Sequence, residues 1–176
     1  MRFTALAVAV LSLGAFATAL PSAHAATEAK PLGTFGKWAA YVDAESGKSI
    51  CYMALKPAKT EGGYKARGDV FLTITHRPAN KSFDVVSIVA GYQYKDDSDV
   101  AVDVDKKSWS LFTSADRAWA RDAATDKAIV KALAKGSALI AKGTSNRGTP
   151  TTDTFVLSGF GKAYKAINDA CKKPAG

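Results

Sequence analysis

The stretch over residues 83–92 is apolar on both faces of an extended chain, with Val85 and Val89 on one side and Val86 and Ile88 on the other. A strand of that kind belongs in the middle of a sheet, covered on both sides. Its neighbours read as further strands. Val70, Leu72 and Ile74 alternate with Phe71, Thr73 and Thr75 until Arg77-Pro78 ends the run. Val100, Val102 and Val104 alternate with Asp99, Asp103 and Asp105. Residues 35–42 and 50–55 are separated by a polar, hairpin-like turn over 43–48. Residues 109–113, 137–144 and 151–157 complete the strands.

Two helices interrupt this pattern. Asp122 or Thr125 can cap a segment that puts Ile129, Ala132 and Leu133 on one face and stops at Gly136. A second helix opens at Ser158 and sets Phe160, Ala163, Tyr164, Ile167 and Cys171 on one stripe of 3.6-residue period. The expected fold is mainly β (α+β), an antiparallel β-sandwich or curved sheet with two packed helices, the second C-terminal. It occupies residues 35–173 as a single domain, after a flexible lead-in over 26–34.

The first 25 residues read as an address. Met1-Arg2 is a basic start, an uncharged Ala/Leu/Val-rich run follows, and Ala23-His24-Ala25 is a small-x-small cleavage pattern. The run is short for a bilayer span and is broken by Gly14 and Pro21. Cleavage is therefore expected after Ala25, placing the mature chain in the periplasm or cell envelope with no transmembrane segment. With 47% hydrophobic and 10% aromatic residues, the chain is not of disordered type.

Export changes what the remaining residues can do. It removes His24 and leaves His76 as the single histidine, which excludes a zinc site built mainly from histidines. Cys51 and Cys171 form an even pair in an oxidising compartment, so one disulfide is the simplest assignment, with two buried thiols as the alternative. The bond would fasten the last helix to an early strand.

A set of short pieces then forms a pattern: Ile50-Cys51-Tyr52-Met53, Arg67-Gly68-Asp69-Val70-Phe71, Ile74-Thr75-His76-Arg77-Pro78, Ala118-Trp119 and Lys142-Gly143-Thr144-Ser145-Asn146-Arg147-Gly148. Thr152-Asp153-Thr154-Phe155, Ser158-Gly159-Phe160 and Cys171 continue it. In order and spacing the pieces resemble the invasion associated locus B family of exported alphaproteobacterial proteins, over residues 38–171. The resemblance implies a periplasmic or envelope-associated protein, and the family name implies a part in host-cell invasion, although similar proteins occur in species that invade nothing. It carries over no catalytic residues. Better-known members have an additional cysteine soon after the first tryptophan, where this chain reads Ala39-Ala40-Tyr41-Val42 after Trp38.

The chemistry on offer is sparse. An enzyme using a histidine base would need His76, joined by Arg77, Ser145 or Asp153, and it would require His76, Arg147 and Asp153 to share one cleft. Ser145 lies in Gly143-Thr144-Ser145-Asn146-Arg147, which lacks the second glycine and the strand-to-helix context of a nucleophile elbow. Gly159-Phe160-Gly161 lacks the third glycine of a nucleotide fingerprint and reads as a sharp turn into the helix. Asp96, Asp97, Asp99, Asp103 and Asp105 lack the glycine and late glutamate of an EF-hand, and read as a solvated strand face. No cofactor and no metal are expected.

The formal net charge is +8, and loss of Arg2 without an acid leaves +7. Arg67, Arg77, Arg117, Arg121 and Arg147 fall at turns or strand ends, and Arg117 and Arg121 flank Trp119 at alternate positions. These six residues are the expected ligand or anion surface. The partner is an unknown envelope or host component, anionic in character, and nucleic acid is not expected of an exported chain without a binding motif. The resulting expectation is a non-enzymatic, disulfide-stabilised binding or envelope-support module, with a small periplasmic hydrolase or enzyme-modulating factor built on His76 as the alternative.

Overall fold

The computed structural model describes residues 29–64 and 66–174. The expected export signal and its expected cleavage site lie outside the described residues. Strands β1 (Lys30–Phe35), β2 (Trp38–Glu45) and β3 (Lys48–Leu55) form a meander, and a short β4 (Lys59–Glu61) follows. β5 (Phe71–Arg77) and β6 (Ser82–Val89) are joined through a single 3-10 turn at Pro78–Asn80. β7 (Asp99–Val104), β8 (Lys107–Ser114) and β9 (Arg117–Trp119) make a second meander. Helix α1 (Ala123–Leu133), β10 (Ala138–Thr144), β11 (Pro150–Val156) and helix α2 (Phe160–Ala170) complete the chain.

All described strands join one antiparallel sheet in the order β1-β2-β3-β5-β6-β9-β8-β7-β10-β11-β4. The sheet is not closed, so β1 and β4 are its edges. β6 sits in the interior between β5 and β9, as its two-sided apolar sequence requires. Its inward Val86 and Ile88 are fully covered, and Val85 and Val89 are half-buried on the outer side. β7 buries Val100, Val102 and Val104 and turns its aspartates outward.

Two expectations need correction. Of the flexible lead-in expected over 26–34, residues 26–28 lie outside the described residues and the chain from Lys30 is a strand, because Gly36, at φ +64, lets it fold back so that Phe35 pairs with Trp38. The same turn divides the single strand expected over 35–42. Outside that hairpin, sequence reasoning also missed β4 and β9, each three residues long and too short to show a period.

One core runs through the molecule. Asp122 caps α1 by accepting the Thr125 N–H at 2.7 Å, and α1 packs on β6 through buried Ile129, Val130 and Leu133. Helix α2 lies over β1, β2 and β3, where the Trp38 ring meets Phe160 edge-on at 5.4 Å between centroids. Burying a side chain of this size contributes about 2 kcal/mol or more. Gly159 opens α2 at φ +94, and a Cβ there would stand 2.1 Å from the Phe35 carbonyl oxygen. Only glycine satisfies both the turn and that approach. Cys51 and Cys171 are bonded, with Cα atoms 5.9 Å apart across 120 residues of sequence.

Candidate functional site

His76 is fully buried near the end of β5, opposite Cys51 on β3. The Asp84 backbone N–H donates to its Nδ1 at 3.0 Å, so the proton sits on Nε2, which donates to Asn168 Oδ1 at 2.8 Å. Burial holds its pKa below the ordinary histidine value, with the nearby Lys173 ammonium adding to the effect. Both ring nitrogens are committed to the fold, and neither can reach a substrate. Beside it the Asp84 carboxylate accepts from the Tyr164 hydroxyl at 2.5 Å and from Lys173 Nζ at 2.6 and 2.8 Å. This network and the disulfide hold the C-terminal end of α2.

The other members of the alternative histidine set lie elsewhere. Asp153, on β11, pairs with Arg67 through two hydrogen bonds of 2.7 Å each. Ser145 is buried in the β10–β11 turn, where its Oγ accepts the Thr149 N–H at 3.1 Å. Arg147 is exposed at the tip of that turn. His76 shares no partner with any of them.

Arg67 is a correction to the expected anion surface. Its side chain is only 9% exposed, and besides Asp153 its Nε donates to the Ala90 carbonyl at 2.6 Å. The guanidinium lies 5.0 Å from the Tyr64 ring and 4.9 Å from the Tyr92 ring. Burial alone would depress its pKa, and Asp153 more than offsets that, so Arg67 stays charged and consumed internally. It ties the 62–69 loop to the end of β6 and to β11. Arg121 lies beyond β9, and both oxygens of Asp99 accept from its Nη2 at 2.8 Å. The six predicted residues therefore do not form one surface.

Two of them, Arg77 and Arg117, line one groove at its opposite ends. Arg117 and Trp119 share β9, with the guanidinium 5.8 Å from the indole, and Arg117 faces the same outer side of the sheet as Arg77. That side carries an open groove of about 740 Å³ across β2, β3, β5 and β6. Strand register orders it into rows perpendicular to the strands. Lys56, Phe71, Val89 and Arg117 stand along one rim, with Lys37 beside Lys56. Ala39, Ala54 and Thr73 form a low floor in the next row, where Thr73 Oγ1 and Ser87 Oγ share a 2.7 Å hydrogen bond. The next row is the stacked pair Tyr41 and Tyr52, 5.2 Å between ring centroids, with Thr75 following, and Asp43, Ile50 and Arg77 form the opposite rim.

The charge of this groove is mostly positive. Lys56 pairs with Asp69 at 3.0 Å and Arg77 with Glu45 at 3.0 Å, both at the surface, where such pairs exchange easily with a ligand. Among the described residues Lys37 and Arg117 have no acidic partner. Asp43 is the acid at the Tyr41 end, and it accepts the Ala44 N–H at 2.7 Å. Of the groove's residues, sequence reasoning found Arg77 and Arg117, with Trp119 beside Arg117, but missed Lys37, Lys56, Tyr41, Tyr52 and Thr73. The available signal was parity: alternate positions on β2, β3 and β5 are small, hydroxylated or aromatic rather than fully apolar.

Among the described residues no helix is long and apolar enough to cross a membrane. The profile described as invasion associated locus B (IalB) protein matches residues 38–168. The crystal structure of invasion associated protein b from Bartonella henselae aligns at a TM-score of 0.54 and 20% identity, over 80% of this chain and 97% of that one. That likeness establishes a shared fold. No curated protein matches the chain.

Proposed function

The chain belongs to the invasion associated locus B family, an exported envelope family, and from that premise we propose that it is a non-enzymatic binding module of the periplasm or cell envelope. Its partner is an anionic envelope or host component held on the outer face of β2, β3, β5 and β6. The observation that carries this reading is the groove itself, with Lys37 and Arg117 uncompensated among the described residues and an aromatic pair on the same face. Opposite charge on a partner would both steer its approach and fix its position. The disulfide suits an oxidising compartment, in keeping with export after Ala25. Contact with a host cell is the narrower form of the same reading.

A deletion strain, assayed for envelope integrity and host-cell entry side by side, tests it. Complementation with wild type should restore whichever function is lost. The Lys37→Glu/Arg117→Glu variant, exported and folded to the same level, should not. Full rescue by that variant contradicts the proposal.

A further inference from the structure

We propose that the ligand of the outer groove is a linear acidic glycan lying across the strands, an inference that rests on the anionic-partner reading above. From β2 to β9 the rim spans four interstrand spacings, about 19 Å. Lys37 and Arg117 stand toward its two ends, with Lys56 between them. A chain bearing repeated negative charges can meet several of them at once.

The floor selects among anionic chains. Backbone donors and acceptors in this part of the sheet are used in the strand ladders, so a peptide laid on the face would find no backbone partners. Peptides that bind sheets add to an edge, and this groove is on a face. A sugar chain needs no ladder. Thr75 offers a hydroxyl able to donate and accept to the hydroxyls of a sugar, and Thr73, already bonded to Ser87, keeps spare hydrogen-bonding capacity beside it. The Tyr41 and Tyr52 rings present amphipathic edges and faces against which the apolar C–H side of a sugar ring can pack. Ala39 and Ala54 keep the floor low enough for a ring to approach the sheet. A lipid chain would ask for a closed apolar cavity, and this groove is open and rimmed with charge.

Titration calorimetry on the purified protein at low ionic strength tests this with four probes: oligogalacturonate, the same oligomer fully methyl-esterified, poly-glutamate of matched charge, and phosphatidylglycerol vesicles. Oligogalacturonate should bind at least about tenfold more tightly than the esterified oligomer and poly-glutamate. Lys37→Ala/Arg117→Ala should weaken it by about tenfold or more. Tyr52→Ala, and independently Thr73→Val, should weaken oligogalacturonate but leave poly-glutamate unchanged. If poly-glutamate or the vesicles bind as tightly as oligogalacturonate, and lose that binding in Lys37→Ala/Arg117→Ala, the glycan assignment is overturned and the anionic-partner reading stands. If no anionic probe binds, or binding is indifferent to Lys37→Ala/Arg117→Ala, both are overturned.

Discussion

Cys51 and His76 are register partners across β3 and β5, so the bond from Cys51 to Cys171 and the hydrogen bond from His76 to Asn168 hold the last helix at neighbouring points. The two attachments differ in kind. The covalent one restricts the unfolded chain, and the polar one acts only in the fold.

Removing the covalent attachment lowers stability without dismantling the sheet. In the chain-entropy treatment, closing a loop of this length is worth up to about 4–5 kcal/mol. Cys51→Ser should therefore shift the urea midpoint markedly downward, while far-ultraviolet circular dichroism of the folded fraction stays near wild type. Equal midpoints with and without reductant would show that the bond carries no stability.

The polar attachment makes stability depend on pH. Burial lowers the His76 pKa in the fold, so the unfolded chain takes up the proton first as pH falls. The His76 contribution is complete above the ordinary value of 6.5 and is lost as pH falls from there toward the folded pKa. Asp126 works in the opposite sense, since burial pushes its carboxyl up to about 6 and its proton uptake favours the fold. The informative comparison is therefore between wild type and His76→Gln. The variant should be less stable by about 1–3 kcal/mol near pH 7, and should then lose less than wild type on going to about pH 5. Parallel pH profiles from urea denaturation would contradict the assignment.

Arg67 and Asp153 are a nearly covered ion pair, and breaking one side strands the other. Asp153→Ala should cost about 3–5 kcal/mol. Replacing both, as Arg67→Met/Asp153→Ala, should cost clearly less than the two single changes added together. A double-mutant cycle from urea midpoints measures this coupling, and simple additivity would show that the pair is not a unit.

Two glycines with similar positive φ separate strain from crowding. Gly148 has φ +79 and open space around its would-be Cβ, whereas Gly159 has φ +94 and the Phe35 carbonyl oxygen 2.1 Å away. Gly148→Ala should cost about 1 kcal/mol and Gly159→Ala about 3 kcal/mol or more. Thermal denaturation of the two variants checks the order, and equal losses would remove the close approach as the reason for glycine at α2.

The strongest periodicities were readable from residues alone. Val100, Val102 and Val104 announced β7, the Phe160 to Ile167 stripe announced α2, and Asp122 or Thr125 announced the start of α1, with the fold selecting Asp122. The disulfide followed from an even cysteine count in an exported chain. What escaped depended on register between distant strands. Tyr41 and Tyr52 become a stacked pair because β2 and β3 align them, and nothing local in either strand says so. Arg67 resembled the other arginines until the fold brought Asp153, 86 residues away, onto its guanidinium. Charge in a sequence gives no indication of which cations are already paired.

The outer-face assignment is tested most directly by mapping where an anionic chain touches the protein. Amide shifts of the isotope-labelled protein should be followed during titration with oligogalacturonate and, separately, with poly-glutamate. The account predicts that the largest shifts in at least one titration gather at Ala39, Ala54, Thr73 and Thr75 and vanish in Lys37→Glu/Arg117→Glu. Shifts concentrated at the Arg147 turn, or none on the outer face with either probe, would contradict it.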